Sequence, residues 1–89
     1  MAKVEFATVS DTLEFDLDSA NHTKTVTVPT GTKIVSGGFK VENLTNPQYS
    51  QAMVGADRPT DAGDGWTVTV HPNGLTGDDI RLTVYATHT

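Results

Sequence analysis

The sequence contains no cysteine, so neither a disulfide framework nor a thiolate metal site can support its fold. Basic residues are also scarce. Six Lys and Arg against eleven Asp and Glu leave a net charge of −5, and a few scattered cations cannot track a phosphate backbone, which excludes nucleic acid as a partner. No apolar run approaches a membrane span or the core of a signal peptide, since Met1 is followed by Ala-Lys-Val-Glu-Phe and then by Asp11, Glu14, Asp16 and Asp18. The expectation is a chain with no membrane partner that stays where it is made or leaves by cell lysis. Nor does any window carry a sustained 3.6-residue apolar period, so no helix longer than about two turns is expected.

What is present is β-branched. Fifteen Thr and ten Val suit a pleated, half-buried surface better than a helix. The cleanest stretch is Gly65 to Tyr85, two alternating runs, Trp66–Val70 and Ile80–Tyr85, that read as a hairpin at the centre of the fold. Trp66, Val68 and Val70 share one face with Ile80, Leu82 and Val84, because residues i and i+2 of a strand point the same way. Arg81, Thr83 and Tyr85 then face water, a neighbouring subunit or a ligand. Further strands are expected over Lys3–Val9, Thr12–Asp18, Thr23–Val28, Lys33–Val41 and Tyr49–Ala56. Pro29-Thr-Gly31 stops the third of these, and Gly37-Gly38 marks a bulge or a close backbone approach in the fourth. In Lys33–Val41 the alternation places Val35, Phe39 and Val41 on one face. About seven short strands with turn signals every ten residues or so predict one all-β domain over residues 1–89, a small antiparallel β-sandwich or jelly-roll-like fold.

A domain of 89 residues without disulfides has little core of its own, and oligomerisation is the usual added support. Tyr49, Met53 and Tyr85 occupy the outward phase of their strands, and Arg58 follows in a polar loop. Tyr, Met and Arg are enriched at protein contacts, so these four are the candidate interface residues. Glu14, Asp16 and Asp18 form an acidic ladder that discourages stray strand pairing.

Catalytic patterns are absent. His22 falls in a turn, His71 ends a strand and His88 is next to the C-terminal residue; none belongs to a nucleophile motif, and all three read as solvent-exposed or terminal. No enzymatic activity and no cofactor are expected. Asp57, Asp61 and Asp64 cluster in one Gly-containing loop, with Asp78-Asp79 in another. Such loops supply oxygen ligands to calcium, but the spacing is not that of an EF-hand, and Asp beside Gly is also what turns select, so turn chemistry is the preferred reading and no metal is expected. Asn21-His-Thr23 and Asn43-Leu-Thr45 match the glycan-acceptor triplet and also read as turn sequence. Carbohydrate binding would draw on Tyr49 or Tyr85, with Asp57, Arg58, Asn73 and Arg81 as polar partners; Trp66, in phase with Val68 and Val70, belongs to the core.

The segment Val28-Pro-Thr-Gly-Thr-Lys-Ile-Val-Ser-Gly-Gly-Phe39, followed by Gly65-Trp-Thr-Val-Thr-Val-His-Pro-Asn-Gly74, resembles a pattern in small β modules of bacteria and their phages. There a Pro-x-Gly turn leads into a Gly-Gly-Phe strand, and a Gly-Trp strand precedes the last hairpin. Roughly Val26 to Tyr85 takes part. Secreted modules of this kind usually carry a signal peptide and often cysteines, and this chain has neither. A cysteine-free, acidic, Thr-rich β protein is similar to a bacteriophage virion component, such as a capsid decoration protein or a minor head or tail module. The resemblance implies a non-enzymatic structural protein of the virion that binds and stabilises capsid or tail subunits, with a homo-oligomer, a trimer by analogy with decoration proteins at three-fold positions. It carries over no functional residues. The alternative is a carbohydrate-binding module, of the H-type lectin kind or a tail-fibre tip.

Overall fold

A computed structural model describes residues 5–16, 20–45, 52–72 and 77–89. Among these residues there are six strands and no helix: β1 (Ala7–Asp16), β2 (His22–Thr27), β3 (Ile34–Asn43), β4 (Ala52–Pro59), β5 (Gly65–Pro72) and β6 (Asp79–His88). They form two antiparallel three-stranded sheets, ordered β1-β6-β3 and β2-β5-β4. The all-β expectation holds, with six strands in place of seven.

The strand count differs at the N-terminal end. Lys3–Val9 and Thr12–Asp18 were expected as separate strands, yet β1 runs unbroken from Ala7 to Asp16 and pairs with β6 along its whole length. The polar Ser10-Asp11-Thr12 resembles a break in the alternation. In fact Asp11 keeps the inward phase of Val9, Leu13 and Phe15, and its carboxylate reaches Lys24 of β2, on the other sheet, at 3.0 Å. An ion pair at the sheet margin thus takes a place that an apolar residue would hold in the interior. The Lys24 ammonium, hydrogen-bonded to it, also holds the Asp11 carboxyl below the ordinary carboxylate range.

The alternation of β5 and β6 is as read, but their pairing is not. β5 lies between β2 and β4, β6 lies between β1 and β3, and the two never share a ladder. The hairpin expected from Gly65 to Tyr85 is therefore a crossing from the centre of one sheet to the centre of the other. Its apolar faces meet across the gap: Val26, Val68 and Val70 from one sheet and Leu82, Val84 and Ala86 from the other form a single buried cluster. At about 25 cal/mol per Å² of apolar surface removed from water, burying both faces against each other gains more than leaving each half exposed in a two-stranded ribbon.

Two bulges reset the phase of outer strands. In β3 the register shifts between Ile34 and Ser36, so Ile34 packs on the core and Val35, expected inside with Phe39 and Val41, stands 51% exposed. In β4 the shift falls at Gly55 between Val54 and Ala56, where the ring of His71 occupies the space of a side chain. Beyond it β4 continues to Pro59, which shortens the loop expected over Asp57–Gly65. Both shifts lie on edge strands, where a bulge also obstructs pairing with a stray strand. The Pro29 turn is as expected, with the Thr32 amide bonded to the Pro29 carbonyl at 3.1 Å and Gly31 at φ 89°.

Candidate functional site

Consecutive residues of a strand face opposite sides of the sheet, so Gly37-Gly38 opens a gap on each face of β3. The inner gap, at Gly37, is filled by Trp66 of β5, whose Cγ, Cδ2 and Cε3 lie where a Cβ would stand. The outer gap, at Gly38, is covered by Tyr85 of β6, its cross-strand partner. Trp66 is half-buried rather than sealed in the core: its ring packs against the apolar cluster while Nε1 donates to Asp57 Oδ1 at 2.6 Å. The paired glycines therefore serve as seats for two aromatic rings.

The outer face of β1-β6-β3 is read row by row from the register. Thr8, Thr87 and Ser36 form one row, Ser10, Tyr85 and Gly38 the next, then Thr12, Thr83 and Lys40, then Glu14, Arg81 and Glu42. Arg81 Nε donates to Glu14 Oε1 at 2.8 Å. Last come Asp16 and Asp79, beside a cavity of about 250 Å³ lined by Glu14, Phe15, Asp16, Leu44 and Asp79. Asp16, hydrogen-bonded to Asp79 and like-charged, pushes the Asp79 carboxyl above the ordinary carboxylate range, with burial, Glu14 and Asp78 adding to it. One end of this face is thus hydroxyl-rich, with Lys40 its one charged side chain, and the other end is mostly acidic.

The four candidate interface residues do not converge. Tyr85 is 38% exposed on the outer face of β1-β6-β3, whereas Arg58 pairs with Thr67 on the outer face of β2-β5-β4, its guanidinium bound to Asp61 at 2.8 Å. Tyr49, the Met53 side chain, Asn73 and Asp18 lie outside the described residues. The three loop aspartates weighed for calcium also part company: Asp57 holds Trp66, Asp61 holds Arg58, and Asp64 accepts from the Thr60 hydroxyl at 2.6 Å. Among the described residues no three His, Cys, Asp or Glu side chains are placed to hold a metal ion.

The histidines need correction. His22 is a strand residue whose ring stacks on Phe15 at 4.0 Å, and His71 Nδ1 lies 2.6 Å from Asn21 Oδ1. His88 is only 5% exposed, on the inward phase of β6, with Nδ1 held by the Thr89 carbonyl at 2.9 Å and, among the described residues, no partner for Nε2. Strand phase explains it: even-numbered residues of β6 face inward through to the end. Of the two glycan-acceptor triplets, Asn43-Leu-Thr45 is closed, because Asn43 is buried with Nδ2 bonded to Asp78 and Oδ1 accepting from the Thr45 amide.

Sequence reasoning passed over Phe6 and Val35, which are 56% and 51% exposed. They flank the C-terminal end of β6, one at the start of β1 and the other at the start of β3. A lone Phe before a strand and a Val in phase with core residues carry no signal of exposure; at Val35 the bulge creates it. Compared with family models, with curated proteins and with solved structures, the chain matches none.

Proposed function

We propose that the chain is a non-enzymatic structural protein of a bacteriophage particle, a small β-sandwich that docks on capsid or tail subunits and reinforces them. The observation that carries this reading is the pair Phe6 and Val35, two large apolar side chains exposed at the same end of one sheet. Exposed apolar groups on both sides of one strand end favour burial against a partner. The domain itself gains from such contact. Its radius of gyration is 14.7 Å, against about 12 Å for a compact chain of this length. An elongated two-layer body buries few side chains, and subunit contact adds what the core lacks. The phage class comes from the resemblance of the Val28–Phe39 and Gly65–Gly74 segments, and the trimer from analogy with decoration proteins at three-fold capsid positions.

The test is light scattering of the purified chain, alone and with the particle, together with fractionation of purified virions. The expected result is an oligomer or a particle-bound species that Phe6→Ser combined with Val35→Ser dissociates, with the melting temperature held within about 2 °C, as for exposed substitutions. A stable monomer that also fails to bind virions would end this reading.

A further inference from the structure

We propose that the outer face of the β1-β6-β3 sheet, centred on Tyr85, is a binding site for a neutral hexopyranose. The inference goes beyond the docking reading and uses a different part of the molecule, since Phe6 and Val35 stand at the end of the sheet and Tyr85 in its middle.

The geometry at Gly38 carries it. A Cβ built there would lie 2.8 Å from each of Cε2, Cζ and Oη of Tyr85. Those three atoms are the tip of the side chain, so the hydroxyl end of the ring lies over the glycine. The residue is 38% exposed, so part of the ring is open to solvent. A side chain at position 38 would meet the tip of the ring and shift it from this position. A flat aromatic face is electron-rich, and the C–H bonds on the less polar side of a pyranose ring are weakly positive, so the two stack.

The surroundings supply what sugar hydroxyls need. Ser10, Thr12, Ser36, Thr83 and Thr87 occupy adjoining positions, each a donor and an acceptor on a short stem. Within these rows the one charged side chain is Lys40, whose ammonium is 3.8 Å from Glu42. The next rows hold Glu14, Arg81 and Glu42 and then Asp16 and Asp79, so acidic groups outnumber the two cations Lys40 and Arg81 on this face, and with a net charge of −5 it disfavours anionic sugars and suits a neutral one.

The experiment is a titration of the whole chain, followed by amide nitrogen–proton correlation spectra, with methyl β-D-galactopyranoside, methyl β-D-glucopyranoside and glucuronate. The expected result is saturable shifts at Ser10, Gly38, Thr83 and Tyr85 with a neutral glycoside. A Kd of about 1 to 10 mM is the range for one small ring on an open surface. Tyr85→Ala should weaken binding about tenfold, the worth of one stacking contact. Gly38→Ala, which leaves the tyrosine in place but displaces its ring, should weaken it to a similar degree, and Tyr85→Phe should keep it within about twofold. The Phe variant reports on the site even if the Ala variants are poorly folded. No saturable shift at these residues up to about 50 mM of either glycoside, five or more times that range, would overturn the proposal. So would glucuronate binding as tightly as the neutral sugars, or titrations unmoved by Gly38→Ala and Tyr85→Ala. A change of oligomeric mass on Tyr85→Ala with no change in sugar binding would make the face a protein contact instead.

Discussion

The indole ring of Trp66 lies on the backbone of Gly37, across the space between the two sheets, and fills the position a side chain at residue 37 would take. Trp66 comes from the centre of one sheet and Gly37 from an edge strand of the other, so this contact ties the two layers together at the paired glycines.

Gly37→Ala should accordingly destabilise the protein by about 1 to 3 kcal/mol, because the methyl group meets a rigid ring and not the end of a flexible chain. Urea unfolding followed by the single tryptophan's fluorescence measures it. A variant as stable as the parent would show that the two layers can part at this point without cost.

Trp66→Ala should cost about 3 kcal/mol, the lower end of the range for removing a core aromatic, since the ring is only half-buried. Trp66→Phe keeps the cover over Gly37 and loses only the bond to Asp57, so its cost should be nearer 1 kcal/mol. Equal losses for the two variants would assign the stabilisation to the Nε1 hydrogen bond rather than to the ring.

His88→Leu should leave stability within about 1 kcal/mol of the parent, or raise it, although the position is buried. The leucine gives up one bond to the Thr89 carbonyl but removes a buried nitrogen that has no partner among the described residues, a group that costs about 1 to 3 kcal/mol where it stands. His88→Ala, which leaves a cavity, should be the damaging change, by about 2 kcal/mol or more. Thermal melts in parallel separate the two.

Asp79 sets the sign of one pH dependence. Its carboxyl titrates above the ordinary carboxylate range because of Asp16, so in the window between its unfolded and folded values the native state binds more protons than the unfolded one. Its contribution falls as pH rises through the folded value, and the repulsion is fully present at neutral pH. Asp79→Asn should therefore raise the melting temperature at pH 7 and have a smaller effect at pH 3. Asp11 runs the other way: its lowered value adds stability above the ordinary carboxylate range that is lost as pH falls through it, so Asp11→Asn should lower the melting temperature at pH 7. Melting curves from pH 3 to 8 on both variants give the comparison.

Much of the fold is legible in the chain, because side-chain phase is a local property. Trp66, Val68, Val70, Ile80, Leu82 and Val84 alternate with Thr, Arg and Tyr, and strand geometry turns that alternation into an inside and an outside whatever the strands pair with. The exposure of Tyr85 follows from the same period, and the close approach at Gly37-Gly38 from two adjacent residues without side chains. Which strands pair is not local. β5 and β6 read as a hairpin, yet each gained more by becoming the centre of its own sheet, with its apolar face against the other's. The bulges at Val35 and Gly55 come from the same level: they adjust edge strands to a partner, and a one-residue slip there turned Val35 outward. Only the tertiary structure, likewise, placed Arg58 and Tyr85 on opposite faces and closed His88 and Asn43 into the interior. Phase is set residue by residue along the backbone, whereas pairing and burial depend on surfaces that exist only once both sheets have met.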